Sequence, residues 1–184
     1  SLPIVLIDNM SISDEIKMFL DINNNAKSVD TNLEYELISK LNWENTSKNS
    51  LIKTAVRVVK ELEKKNPLKG NIYRGIVGDT KKEKITLLSI VNSMIKNKFI
   101  DYSGGLFQIE ANQNDTKTPA SFIQTSLVEI NKSSKQKDYF FSNRGIELTF
   151  NYLAEIIDYE ESEKEKLEEV IKLKTVELIS IVDD

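Results

Sequence analysis

The sequence predicts a helix-dominated α+β fold, and three observations support this prediction. About seven segments carry apolar residues three and four positions apart, which is the spacing of an amphipathic helix. A few short runs are instead rich in β-branched residues and bounded by Gly or polar turn residues, as is typical of strands. The chain has 184 residues, of which 40% are hydrophobic, so it can form one domain with a substantial core.

The chain opens with a predicted strand followed by two helices. Residues 2–8 form a continuous apolar run rich in β-branched residues, which suits a buried strand. Ser11 or Ser13 is placed to cap the first helix, and Asp30 or Thr31 to cap the second. An Asn-rich segment lies between the two helices. We expect it to break the first helix and form a loop, because Asn tolerates left-handed backbone and hydrogen-bonds its own main chain. The expected apolar faces are Ile12, Ile16, Phe19 and Leu20 in the first helix and Leu33, Leu37, Ile38 and Leu41 in the second.

The middle of the chain predicts a long helix, a short strand and another helix. The long helix begins at Ser47 or Asn49 and ends ahead of Pro67. Residues 71–78 predict a strand bounded by glycines, and a charged turn leads from it into a helix over residues 85–99. The apolar stripe of the long helix consists of Leu51, Ile52, Ala55, Val56, Val59 and Leu62.

The last part of the chain predicts a hairpin and three helices. Residues 99–109 contain two apolar segments around Ser-Gly-Gly, which is typical of a β-hairpin. Pro119 fits the first turn of a helix, and Ser142 or Asn143 is placed to cap the next one. The final helix is expected over residues 162–181.

The composition excludes several classes of chemistry. The chain has neither His nor Cys, which excludes the usual zinc sites, a Ser-His-Asp triad and a thiolate nucleophile. Its glycines do not have the spacing of a phosphate-binding loop. We therefore predict no catalytic residues, no metal and no cofactor for this chain, which favours a role other than catalysis. The formal net charge of −4 is also unlike that of a strong non-specific DNA-binding protein.

The chain carries no sequence signal for a membrane or for export. Its apolar runs are far shorter than the roughly 18 residues that a spanning helix needs, and no signal peptide is visible. We therefore predict a cytoplasmic protein without a membrane partner.

The order strand, helix, Phe19-x-x-Ile-Asn-x-x-x-Lys-x-Val29, helix resembles the DGQHR-domain family. That family includes the bacterial DndB-like proteins linked to DNA sulfur modification, and its core is similar to the ParB/sulfiredoxin fold. The resemblance covers Leu2 to about Trp43, and Phe141-Ser-Asn-Arg-Gly-Ile146 is a second, weaker similarity. The motif Asp-Gly-Gln-His-Arg is itself absent, so the resemblance implies the C-terminal fragment of such a protein.

The resemblance also implies a division of the chain. Residues 1–45 would be the remnant of a ParB-like domain with short strands. Residues 46–184 would form a mostly helical region with a strand–helix–hairpin unit at 71–110.

The first group of candidate site residues is the polar segment after the first helix. Asn23, Asn25 and Lys27 would present side-chain amides and one ammonium group at a helix end beside a sheet, which suits the binding of a phosphate or nucleotide. In the alternative, Asn23 satisfies backbone groups and Lys27 is solvated, while Ile22 and Val29 pack.

The second group consists of cations on later segments. Residues 73–109 could form a winged-helix arrangement, in which a helix and a Gly-Gly wing contact DNA. The alternative, which we favour, is that these residues form an ordinary α+β unit. Arg144, at the start of a helix, would contact an anion or pair with Glu147. The phosphate-binding candidates in this group are Arg74, Lys81, Lys82, Lys84 and Arg144.

The resemblance implies a DNA-associated protein in DNA modification or in defence against phage and other foreign DNA. For this chain it favours DNA binding or regulation over catalysis. Two alternatives stay open: a helical module that binds a protein partner or a second copy without DNA, and part of a ParB-like nuclease or NTPase that needs the preceding segment.

Overall fold

The computed structural model describes residues 9–24, 29–42, 48–76, 85–101, 107–108, 116–154 and 164–184. Within these ranges the chain forms eight helices and four strands of two residues each, which confirms the predicted helix-dominated α+β class. The helices are α1 (Ile12–Asn24), α2 (Thr31–Ile38), α3 (Lys48–Leu62), α4 (Leu87–Lys96), α5 (Lys117–Ser133), α6 (Lys137–Phe140), α7 (Asn143–Ala154) and α8 (Lys164–Asp183). The strands are β1 (Ile72–Tyr73), β2 (Ile85–Thr86), β3 (Ile100–Asp101) and β4 (Phe107–Gln108).

The caps of the first two helices are those that the sequence predicts. Ser11 precedes α1, and its Oγ accepts the backbone N–H of Asp14 at 3.2 Å. Asp30 caps α2, since its Oδ1 accepts the N–H of Asn32 at 2.8 Å. The predicted strand over residues 2–8 lies outside the described residues. The buried residues of α2 and of the turn after it are Asn32, Tyr35, Ile38, Ser39 and Leu41, so the inner face is more polar than predicted.

Helix α3 lies at the centre of the packing, because α2, α4 and α5 all pack against it. Its predicted stripe is confirmed apart from Leu51, which is half-buried, and Val58 is buried in addition. A helix in contact with three others buries more than one narrow stripe, which accounts for the difference.

Helix α4 begins two residues later than predicted. Ile85 and Thr86 form β2, which pairs in parallel with β1 (Ile72↔Ile85, Tyr73↔Thr86). The Ile85 N–H donates to the Asn71 carbonyl at 3.0 Å. Thr86 then caps α4, with its Oγ1 accepting the N–H of Ser89 at 3.2 Å. Apolar periodicity alone does not show the boundary between β2 and α4, because β2 forms only by pairing with a strand distant in sequence.

The predicted hairpin is wrong in the direction of its strands. β3 and β4 pair in parallel with the register Ile100↔Phe107 and Asp101↔Gln108, whereas a hairpin is antiparallel. Ile100 is fully buried and β3 contacts α3 and α4, so the core rather than a tight turn positions this strand. The Ser-Gly-Gly residues of the predicted turn lie outside the described residues.

The last four helices complete the bundle. Pro119 lies in the first turn of α5, as predicted, and α5 packs along α8, which also contacts α7. Ser142 caps α7, since its Oγ accepts the N–H of Gly145 at 3.1 Å. A small apolar cluster where α5, α6 and α8 meet consists of Ile130, Phe140, Leu178 and Ile179.

One hydrophobic cluster joins the beginning of the chain to the rest. Ile16 and Leu20 of α1 and Ile38 of α2 belong to the same buried cluster as α3, α4 and α7. Buried side chains from both sides of residue 45, where the resemblance places a domain boundary, therefore belong to one cluster. Among the helices in the described ranges, none is both long enough and apolar enough to cross a bilayer.

Candidate functional site

Asn143 links the first turns of α4 and α7 by hydrogen bonds. Its side-chain Oδ1 accepts the Thr86 N–H at 2.8 Å and the Thr86 hydroxyl at 3.2 Å. Its backbone carbonyl accepts the Ser89 hydroxyl at 3.2 Å. These bonds fix the first turn of α7 relative to β2 and α4. We call the first turns of α4 and α7, with β2, the α4–α7 junction.

Helix α2 begins at the same junction. Asn32 is buried, and its Oδ1 accepts the N–H of Leu88 in the first turn of α4 at 2.9 Å. The Asp30 cap also accepts the Tyr73 hydroxyl at 2.8 Å, which ties β1 to α2. Gly75 follows with φ +73, and a Cβ there would approach the Leu33 nitrogen to 3.0 Å, so a glycine suits the close contact between this segment and α2.

Arg144 is the cation that α7 presents at this junction. It is exposed, and within the described part of the chain no ion pair is formed by it. Glu147, which the sequence offers as its partner, pairs instead with Lys96 at 3.1 Å. An exposed guanidinium on a fixed turn is suited to binding a phosphate oxygen.

The other residues of the Ser-Asn-Arg-Gly-Ile stretch have structural roles. Ser142 caps α7, Asn143 binds β2, and Ile146 lies in the core. A Cβ on Gly145 would overlap the Tyr139 carbonyl and lie 2.5 Å from the Phe140 Cα, so only glycine lets α7 approach α6 this closely. In this stretch, the residues other than Arg144 therefore have capping or packing roles.

Two amide groups at the start of α4 are already occupied. Asn32 accepts the N–H of Leu88, and Thr86 accepts that of Ser89. These two N–H groups are therefore not available to bind an anion.

Arg74 is enclosed by carboxylates. Its two terminal nitrogens lie 2.6 Å from Glu36 Oε2 and 2.6 Å from Glu63 Oε2, and its side chain is 12% exposed. Lys60 reaches the second oxygen of Glu36 at 2.8 Å. This charged cluster of Glu36, Lys60, Glu63 and Arg74 joins α2, α3 and β1. The geometry favours a structural role for Arg74 over contact with phosphate.

The remaining candidates divide into two groups. Asn23 lies in the last turn of α1, and only its backbone is described. Asn25, Lys27, Lys81, Lys82 and Lys84 lie outside the described residues. By covalent connection alone, Lys84 directly precedes Ile85 of β2, and Lys27 is three residues before the Asp30 cap.

The alternatives that the sequence left open are partly resolved. Ile22 is 58% exposed, so it does not pack as the alternative for the Asn-rich segment expects, whereas Val29 is half-buried. The parallel pairing of β3 and β4 does not match the wing of a winged helix. Lys96, in the last turn of the helix of that arrangement, pairs with Glu147.

Sequence reasoning missed the polar groups that hold the junction together. Thr86 is the cap of α4, and a Thr immediately before an apolar helical run is a visible signal for such a cap. Asn143 is named by the sequence only as a possible cap, whereas the structure uses its side chain to bind Thr86. Another missed contact is the Tyr35 hydroxyl, which donates to Asn92 Oδ1 at 2.9 Å. Burial raises the pKa of Tyr35, and the Glu34 carboxylate raises it further.

No protein-family model matches the chain, and neither the curated proteins nor the solved structures contain a match to it.

Proposed function

We propose that this chain is a DNA-associated regulatory module and that the α4–α7 junction is the side that approaches DNA. The observation that carries the proposal is Arg144, an exposed cation held on a turn whose orientation Asn143 fixes. A cation that pairs with none of the described carboxylates, on a fixed turn, contacts a phosphate at a small cost in conformational entropy.

The sequence next to the junction contains further cations. Lys81, Lys82 and Lys84 precede Ile85 of β2 by four, three and one positions, with Glu83 among them. The similarity of the first helices to the DGQHR-domain family also supports a DNA-related role in modification or in defence against phage. Regulation or binding fits this chain better than catalysis, because it has neither the family's named motif nor any His or Cys.

A gel-shift titration with duplex DNA tests the proposal. We expect the full chain to bind at micromolar protein concentration and low salt, and to be released as salt rises, because phosphate contacts displace counterions. Arg144→Ala should weaken binding about three- to tenfold on every DNA sequence and lower the salt slope by about one unit.

Lys172→Ala is the matched control. Lys172 pairs with Glu168 within α8 at 3.2 Å, and its loss changes the net charge by the same amount as the loss of Arg144. If both variants weaken binding equally, net charge rather than the junction is responsible, and the assignment of this side is wrong. If the unaltered chain shows no salt-sensitive binding, the DNA-associated function itself is wrong.

A further inference from the structure

Three aromatic residues follow one another at the end of α6, and the fold separates them. Phe140 is buried in the small apolar cluster where α5, α6 and α8 meet, and Phe141 is half-buried against the same cluster. Tyr139 is instead 42% exposed. Because Phe140 anchors α6 in the core, Tyr139 belongs to a short helix whose position is already fixed.

The ring of Tyr139 is held by its neighbour. Its centroid lies 6.0 Å from that of the Phe140 ring, and the two planes meet at 72°. Such an edge-to-face contact favours one orientation of the ring, and a tyrosine side chain has only two dihedral angles to order on binding. An exposed aromatic ring of this kind binds a flat ligand at a small cost in conformational entropy.

Arg144 leaves the backbone beside Tyr139. The Ser142 hydroxyl donates to the Tyr139 carbonyl at 2.6 Å and accepts the Gly145 N–H at 3.1 Å. That N–H belongs to the peptide that joins Arg144 to Gly145, and a Cβ on Gly145 would overlap the same Tyr139 carbonyl. One tight turn therefore carries both the exposed ring and the exposed guanidinium.

We propose that Tyr139 stacks on an unpaired base while Arg144 binds a phosphate of the same strand, so that the α4–α7 junction prefers single-stranded DNA to duplex. This inference rests on the proposed function, because it uses the same phosphate contact. In a duplex each base is stacked and paired, so a side chain reaches its face only if the base leaves the stack. In a single strand the base faces are accessible, and aromatic stacking combined with phosphate contacts is the usual mode of binding.

The charges around Tyr139 do not by themselves favour a single strand. Lys137 and Asp138 precede it, both exposed and opposite in sign, and Glu147 in α7 pairs with Lys96 at 3.1 Å. Binding by charge alone favours the duplex, because it carries about twice the charge of one strand per unit length. A preference for the single strand would therefore come from the ring.

Fluorescence anisotropy with two labelled probes tests the proposal on the full chain. The probes are an oligo(dT) strand, which has no internal base pairing, and the dT·dA duplex of the same length. At one fixed low salt concentration we expect the strand to bind about threefold or more tighter than the duplex. Tyr139→Ala should weaken binding of the strand about fivefold or more and binding of the duplex less than about twofold.

Tyr139→Phe is the matched variant, since it removes the hydroxyl and keeps the ring. It should bind the strand within about twofold of the unaltered chain. Circular dichroism of each variant confirms that the bundle is folded, as expected for changes at an exposed position.

Two results overturn the stacking role and leave the proposed function intact, provided that duplex binding is salt-sensitive. One is a strand affinity no higher than that for the duplex. The other is an equal effect of Tyr139→Ala on both probes, or a Tyr139→Phe variant as weak as Tyr139→Ala. If neither probe is bound at micromolar protein concentration, both this inference and the proposed function are wrong.

Discussion

At the residue scale, Arg74 links α2 to the end of α3 through its ion pairs with Glu36 and Glu63. Arg74→Ala would leave Glu36, whose side chain is 12% exposed, without its guanidinium partner. Removing one member of a mostly buried ion pair is strongly destabilising, so we expect a loss of about 2–3 kcal/mol in the free energy of unfolding. Urea denaturation measures it.

Arg74→Lys is the matched variant. It keeps the charge but cannot bond two carboxylates in the fork geometry of a guanidinium, so we expect a loss of about half that size. Unchanged stability in both variants would show that the charged cluster contributes nothing to the fold. DNA binding should change little in the lysine variant, since the carboxylates already neutralise this position.

Lys98 adopts a conformation that favours glycine. It follows the end of α4 with φ 54°, and the bonds Lys98 N–H to Ile95 O at 3.1 Å and Phe99 N–H to Met94 O at 2.9 Å close the helix as a Schellman motif. A left-handed conformation costs an ordinary residue about 1 kcal/mol or more. We expect Lys98→Gly to raise the free energy of unfolding by about 0.5–1 kcal/mol in thermal melts. A decrease would show that the lysine side chain stabilises this helix end.

At the scale of single elements, helices were predictable because their signals are local. Ser11, Asp30 and Ser142 cap α1, α2 and α7 as their sequence positions indicate. The buried residues of α3 are nearly those of its predicted apolar stripe. These features depend on residues three or four positions apart, which periodicity detects.

Strands were less predictable, because their partners are distant in sequence. Ile85 and Thr86 continue the apolar pattern of α4 and leave it only by pairing with β1. The contacts at the candidate site have the same character, since Asn143 meets Thr86 across 57 positions of sequence. Arg144 was predicted as a cation at a helix start, whereas the pairing of Glu147 with Lys96 joins residues 51 positions apart, which no local rule indicates.

The C-terminal end of α8 is held by a carboxylate. Asp183 Oδ2 accepts the Lys135 N–H at 2.7 Å, and Oδ1 accepts the Ser134 hydroxyl at 2.8 Å and the Gln136 N–H at 3.2 Å. These bonds, the one from the Lys135 N–H first, hold the pKa of Asp183 below its ordinary value. The end of α8 is thereby joined to the turn between α5 and α6.

This carboxylate makes stability depend on pH in a known direction. Because the pKa of Asp183 is lower in the folded state, its contribution is complete above the ordinary value of 3.8 and is lost as pH falls through the folded-state pKa. We expect Asp183→Asn to have a lower Tm than the unaltered chain at pH 6, by a difference that shrinks as the pH falls below 3.8. A difference that is constant across this range would contradict the role of the carboxylate.

At the scale of the whole molecule, the net charge of −4 does not itself favour DNA binding. Several described cations are paired with carboxylates, as Lys60, Lys64, Arg74 and Lys96 show. A protein of this kind binds DNA only if unpaired cations gather on one side. We propose that the α4–α7 junction is that side, with Arg144 at the start of α7 and Lys84 directly before β2 in the sequence.

The most direct test of this account is the salt dependence of DNA binding by the full chain and by a variant with Lys81, Lys82, Lys84 and Arg144 all changed to Ala. Fluorescence anisotropy with a labelled duplex gives the dissociation constant over a series of salt concentrations. If these four cations contact phosphates, the logarithm of the binding constant should fall with that of salt at a slope of about −3 to −4, and the variant should lose this binding while its circular dichroism is unchanged. Equal slopes for both proteins, or no salt-sensitive binding by the unaltered chain at micromolar concentration, would contradict it.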